Sequence, residues 1–280
     1  MAISCEWDAS DTGYLTTGGA TNISGTTGWL AISLWYYLEI FRQDQQICQL
    51  DDDDGNYAFR FRCGVGAANG NLRVHMRRTE DPWNVYWDSD GAEVTEETWH
   101  HLAFKFRIAT GASFVMYRDG SEVNGSFTGG DGDEAGDQPI YPMTIGQAGF
   151  QRNFRVHDMA VWANSGATDP LLEAHMAAIY DARLRANVFQ NEYMIEYWPF
   201  HFPISGALNA ADIGLRSSGI NATTMVYGGG NVNNVEPGHN LTWPSHPMTF
   251  IPVAAGATGK PTMRYWGGVP GMPLTGRVGW

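Results

Sequence analysis

The chain has 280 residues and a formal net charge of −13 at pH 7. That balance excludes the basic footprint that holds nucleic acid and disfavours docking on an anionic membrane. Apolar residues make up 43% of it, enough to fill the core of one large domain, or of one domain with an extension.

The first residues, Met1-Ala2-Ile3-Ser4-Cys5-Glu6-Trp7-Asp8, hold no basic stretch followed by an apolar one, so no secretory signal is expected. No run of 18 apolar residues suggests a membrane span. The expectation is a protein made in a cytoplasm and released by another route. The sequons at Asn22, Asn124, Asn221 and Asn240 then read as chance matches. Cys5, Cys48 and Cys63 are too few and too scattered for a disulfide framework. Cys48 and Cys63 could face each other across a strand pair, but all three are expected as reduced core residues.

After a Gly/Thr-rich stretch over 16–28, Trp29 to Leu38 is a long aromatic and β-branched run, expected as a buried strand. Further strands are expected over 46–50, 57–63, 71–76, 83–88, 100–107, 113–118, 143–146 and 152–162. Turn-rich clusters over 51–56, 64–70, 88–91 and 129–136 separate them. Many short strands with Gly-rich turns point to an antiparallel β-sandwich. One helix is expected over 169–186. Asp169 suits an N-cap and Pro170 the first helical position, with Leu172, Met176 and Ile179 at helical spacing.

Thr98-Trp99-His100-His101 with Ala103, followed by Tyr117-Arg118-Asp119-Gly120, resembles the core of laminin-G-like, concanavalin-A-type jelly-roll domains. The resemblance spans roughly residues 5–225 and is sharpest over 98–200. It implies an all-β jelly-roll sandwich with one short helix. In it the Trp fills the sandwich and one His hydrogen-bonds a nearby backbone group. It also implies a closing strand over 193–200 and a trailing one near Asp212-Ile213-Gly214. Domains of this type are mostly binders of glycans or proteins, and some are structural shells.

From Glu236 onward the character changes. Residues 236–280 hold seven of the 13 prolines, with Trp243, Phe250, Tyr265, Trp266 and Trp280 among them. A disordered tail is polar and poor in aromatics, so this segment is expected as an extended arm laid against its own sandwich or a neighbour. The domain division is therefore 1–235 for the sandwich and 236–280 for the arm. The stretch Met263 to Leu274 is similar to endings of structural proteins from tailed bacteriophages.

Chemistry is sparse. No strand carries the E-x-D-x-(x)-E spacing of jelly-roll glucanases. Glu192 and Glu196 would stand about 13 Å apart along a strand, against about 5–5.5 Å for retaining hydrolysis. His100 and His101 point to opposite faces. The acidic stretches Asp51-Asp52-Asp53-Asp54 and Asp131 to Asp137 could offer oxygens to calcium but lack the EF-hand register. Trp83, Tyr86 and Trp87 form the best aromatic cluster for stacking sugar rings, with core packing as the competing role.

These readings lead to a non-enzymatic virion structural protein of a tailed phage, a decoration or accessory protein of capsid or tail. Tyr265, Trp266 and Trp280 would dock on a neighbour, and no cofactor is needed. Its partners would be phage capsid or tail proteins and further copies of itself; a trimer would suit three-fold positions. The alternative is a glycan-binding adhesion module that uses Trp83, Tyr86 and Trp87, with calcium as an option, on a host-surface glycan.

Overall fold

The computed structural model describes residues 5–7, 14–16, 28–51, 57–65, 69–77, 84–107, 114–128, 143–146, 154–164, 168–181, 193–198, 226–228 and 235–237. In chain order the first strands are β1 (Cys5–Trp7), β2 (Tyr14–Thr16), β3 (Trp29–Leu38), β4 (Gln45–Asp51) and β5 (Tyr57–Cys63). There follow β6 (Asn71–Arg77), β7 (Asn84–Ala92), β8 (Trp99–Arg107), β9 (Val115–Arg118), β10 (Ser121–Glu122) and β11 (Gly125–Thr128). The last are β12 (Met143–Ile145), β13 (Phe154–Asn164), helix α1 (Glu173–Asp181), β14 (Met194–Trp198), β15 (Val226–Gly228) and β16 (Val235–Pro237).

The strands form two antiparallel sheets. The first runs β10-β9-β8-β3-β13-β1-β16, with β14 also paired to β13. The second runs β11-β7-β6-β5-β4-β12-β2-β15. Alternation along each strand builds the core between them. Leu30, Ile32, Leu34 and Tyr36 of β3 and Leu102, Phe104 and Phe106 of β8 meet Phe59, Phe61, Val74 and Trp87 of the second sheet. The expected jelly-roll sandwich is therefore present.

The first sheet is apolar on both faces, which is why β3 and β8 read as continuous hydrophobic runs. Ala31, Trp35, Ala103, Ala160 and Trp162 point away from the sandwich and are covered by Leu171, Met176 and Ile179 of the α1 region. Trp99 belongs to this second cluster, against Tyr37 at 5.3 Å, and not to the sandwich interior where the resemblance put it. It is an odd-numbered position of β8, on the same face as Ala103.

Along β13 the alternation changes phase. Phe154 and Val156 face the sandwich, then Met159 and Val161 do. The register against β3 shifts between His157 and Ala160, and Asp158 sits at φ 52°. One extra residue in the strand turns every later side chain over.

Two boundaries differ from the sequence reading. Helix α1, Glu173–Asp181 among the described residues, begins at Glu173 and not at 169, and residues 182–186 lie outside those described. Asp169 does not cap it. Its Oδ1 accepts from the Leu171 amide at 3.1 Å and its Oδ2 takes the Lys105 ammonium, which also donates to the Leu171 carbonyl. The Leu172 carbonyl accepts the first helical hydrogen bonds, from His175 and Met176. Likewise the turn expected over 88–91 is the second half of β7. There Asp88 is gripped by Arg73 from β6, and Ser89 and Asp88 pair with Gly125 and Ser126 of β11. Cross-strand pairing overrides turn composition. The other boundary, after residue 235, falls at the first residue of β16, which pairs with β1.

Cys48 and Cys63 are buried free thiols in the core. Burial pushes the Cys63 thiol up to about 12, so it stays protonated and inert.

Candidate functional site

The strands of the second sheet show their apolar residues to the core, so their alternate residues lie on its outer face. Register then lines these up. Thr16, Thr144, Gln49, Arg60, His75, Tyr86 and Thr128 sit opposite one another in turn, across β2, β12, β4, β5, β6, β7 and β11. A second row runs Gln46, Arg62, Arg73, Asp88, Ser126. At about 4.8 Å between strands, the seven-residue row is roughly 29 Å long.

Every side chain in these rows is polar or carries a polar group. The middle of the long row is deep: Gln49 is 4% exposed and His75 2%. Arg60, Arg62, Arg73, Tyr86 and Asp88 are half-buried. The rows are held rigid by mutual contacts. Gln49 Oε1 accepts from Arg60 Nε at 2.9 Å and from Gln46 Nε2 at 3.2 Å. Arg73 grips Asp88 through two bonds, Nε to Oδ1 at 2.5 Å and Nη2 to Oδ2 at 2.7 Å. Those hydrogen bonds raise the Arg73 pKa further, so it is always charged. Its guanidinium lies 4.6 Å from the Tyr86 ring centroid, and Tyr86 stacks on His75 at 4.1 Å and 24°. Arg62 pairs with Asp44 at 3.3 Å.

Of the aromatic residues singled out in the sequence, Tyr86 lies in the long row. Trp87 points the other way, is 4% exposed and packs on Phe114 at 4.8 Å, so its ring is not open to a ligand. Trp83, Tyr265, Trp266 and Trp280 lie outside the described residues, as do residues 52–54 and 131–137 of the acidic stretches. Among the described residues, no group of three or more His, Cys, Asp or Glu side chains is placed to hold a metal ion. Arg60, Arg73, His75 and Gln49 were not picked out from the sequence. The alternations Phe59-Arg60-Phe61-Arg62 and Leu72-Arg73-Val74-His75 are the signal that could have found them.

A hydroxyl–imidazole–carboxylate chain also exists, at the rim. His100 Nδ1 lies 2.7 Å from Asp119 Oδ2, and Nε2 lies 3.0 Å from Thr95 Oγ1. The Thr95 backbone N–H donates to the same Nε2 at 3.2 Å. A backbone amide can only donate, so Nε2 is the acceptor and Nδ1 carries the proton. The lone pair a general base needs is thus engaged by the backbone. This arrangement positions a loop, as the resemblance implied for one of the two histidines. His101 turns the opposite way, to Ser33 Oγ at 2.7 Å beside Trp35.

A sandwich of two antiparallel sheets, with one face backed by a helix and the other lined by planar polar groups, is the architecture of a lectin-like domain. Residues 9–165 match the family model described as the concanavalin A-like lectin/glucanases superfamily, more than half of the chain, and the chain belongs to that superfamily. Among solved structures it is similar to a candidate carbohydrate-binding protein from Bacteroides ovatus, with a TM-score of 0.50 and 13% identity over 82% of this chain and 58% of that one. It is also similar to a heptameric, SAP-like pentraxin from Limulus polyphemus, with a TM-score of 0.47 and 16% identity over 65% of this chain and 82% of that one. At such identities the likeness is one of fold. No curated protein matches the sequence.

Proposed function

We propose that the chain is a non-enzymatic glycan-binding module whose site is the outer face of the second sheet. The observation that carries this reading is the row in which Tyr86, stacked on His75, is aligned with the forked donor Arg60, with Arg73 of the neighbouring row against the Tyr86 ring. A sugar ring offers an apolar face to an aromatic ring and hydroxyls to planar donors, and this row supplies both in fixed positions. Superfamily membership and the fold of the Bacteroides protein support it. The rows hold one carboxylate among the described residues, Asp88, bound by Arg73 through two bonds, so they do not offer the carboxylate pair that glycoside hydrolysis uses.

The virion role expected from the C-terminal segment rests on Tyr265, Trp266 and Trp280, outside the described residues, and neither the family nor the similar folds speak for it.

The test is a glycan array followed by titration of the best ligand. Tyr86→Ala should weaken binding about tenfold or more, roughly 1.4 kcal/mol, with the thermal midpoint nearly unchanged. Unaltered affinity in the variant would remove this face from the function.

A further inference from the structure

We propose that Asn124 is a site of spontaneous covalent modification, where the side-chain amide is lost through a cyclic imide and the residue becomes mainly isoaspartate. This stands apart from the glycan reading. The sequence has two Asn-Gly steps, Asn69-Gly70 and Asn124-Gly125. In such a step the glycine nitrogen can attack the asparagine side-chain carbonyl, because no Cβ shields it. The structure separates the two steps. Asn124 and Gly125 are both exposed. Asn69 is exposed, but Gly70 is buried and its carbonyl accepts from the Glu93 and Val94 amides at 2.8 and 3.0 Å. The Asn69 Oδ1 is itself held by the Asn71 amide at 3.2 Å.

The ladder sets the direction of the Gly125 nitrogen. Gly125 stands opposite Ser89, and the Asn124 carbonyl accepts from the Asp90 amide at 3.0 Å. That bond makes Gly125 and Ser89 a pair that exchanges no hydrogen bonds, so the Gly125 N–H points away from β7. Among the described residues β11 is the last strand of its sheet, and this N–H faces no further strand. The glycine is also required. A Cβ there would collide with the Trp87 ring and the Asp88 carbonyl oxygen. Packing thus keeps the reactive step in the chain.

The reaction needs only water and hydroxide. Hydroxide takes the Gly125 amide proton, the nitrogen bonds to Asn124 Cγ, and the Cγ–Nδ2 bond breaks as ammonia leaves with a proton from water. Water then opens the imide at either carbonyl, giving aspartate or isoaspartate. Both products bring a carboxylate to a position that faces Asp90 when the register is carried one residue further. Like charges in opposed positions weaken strand pairing. Isoaspartate also adds a methylene to the main chain beside a glycine packed against Trp87. Conversion therefore loosens β11, which carries Ser126 and Thr128 of the polar rows.

The experiment stores the full chain at pH 8 and 37 °C and follows both Asn-Gly peptides by mass spectrometry, with fragmentation that tells isoaspartate from aspartate. A parallel sample unfolded in urea gives the rates without structure. In the folded chain Asn124 should convert about tenfold or more faster than Asn69, whose step waits on local opening. The two rates should converge in urea. Isoaspartate should exceed aspartate at 124, the mark of the imide. The thermal midpoint of the natural chain should fall on storage, and that of Asn124→Gln should stay level. Equal conversion of Asn69 and Asn124 in the folded chain overturns the inference, as does an Asn124 that stays amide while the urea sample converts. Aspartate alone at 124 overturns the imide route. A midpoint that holds despite full conversion overturns the loosening of β11. Should Asn124→Gln fail to fold, the peptide rates of the natural chain still decide.

Discussion

Asp119 and Gly120 form a two-residue turn with φ 53° and 80°, the left-handed pair that suits a β-hairpin between β9 and β10. The Asp119 carboxylate accepts from the His101 amide at 2.9 Å and faces His100 Nδ1 at 2.7 Å, while its own amide donates to the His101 carbonyl at 2.8 Å. One residue thus pins the hairpin to the start of β8 and, through His100, to the loop at Thr95. A methyl group at Gly120 would also meet Ala177 Cα of α1 at 2.8 Å, so turn and helix can approach only because Gly120 lacks a side chain. Asp119→Ala removes two hydrogen bonds to a charged group and leaves His100 without its carboxylate. It should cost about 2–3 kcal/mol, read as a lower urea midpoint at unchanged slope. Unchanged stability would mean that the turn holds itself. The Asp-Gly turn was legible in the sequence because its chemistry is local. That the carboxylate reaches two consecutive residues of β8 was not, since that depends on where a strand 18 residues away lies.

At the scale of elements, α1 is short and leans on what surrounds it. Its first turn includes His175, whose Nδ1 accepts from the Leu172 amide at 3.4 Å. Burial holds the His175 pKa below the ordinary 6.5, with Asp169 pulling the other way. The folded form therefore binds this proton less readily than the unfolded chain. The contribution to stability is complete above about pH 6.5 and is lost as pH falls below it. Hydrogen-exchange protection over 172–176 should drop between pH 7.5 and 5.5 in the natural chain and stay level in His175→Gln. Equal behaviour of the two would assign the change elsewhere.

The strands themselves were readable where alternation is regular, as in β5 and β6. They were misread where a tertiary contact overrides composition, as at Asp88, while the strand through Asp158 was read and only its bulge was not legible. The site was the least legible part. Tyr86 stood out because aromatics cluster around it. Arg60, Arg73 and His75 look in sequence like an ordinary solvated strand face, and only the register of seven strands sets them in line.

At the scale of the whole molecule, the two sheets have unlike fates. The first is sealed between the core and α1; the second keeps a polar outer face. Their edges are tied to late parts of the chain, β15 to β2 and β16 to β1. A chain ending at Pro237 should keep the cooperative transition and the glycan affinity of the full chain. One ending at residue 225 removes both edge strands and should unfold several degrees earlier. If shortening to Pro237 abolishes binding, the C-terminal segment belongs to the site and the face alone is insufficient.

Among the described residues α1 covers the outer side of the first sheet, so under the proposed function one molecule offers its ligand one sheet face. One face gives modest grip and fast release, so on the proposed function firm attachment to a glycan-coated surface depends on several copies held together. Joining copies through a linker that spans neighbouring ligands can raise apparent affinity 10²–10⁴-fold without a new contact. Display on a bead or fusion to an oligomer would therefore turn this domain from a transient sampler of surfaces into an anchor.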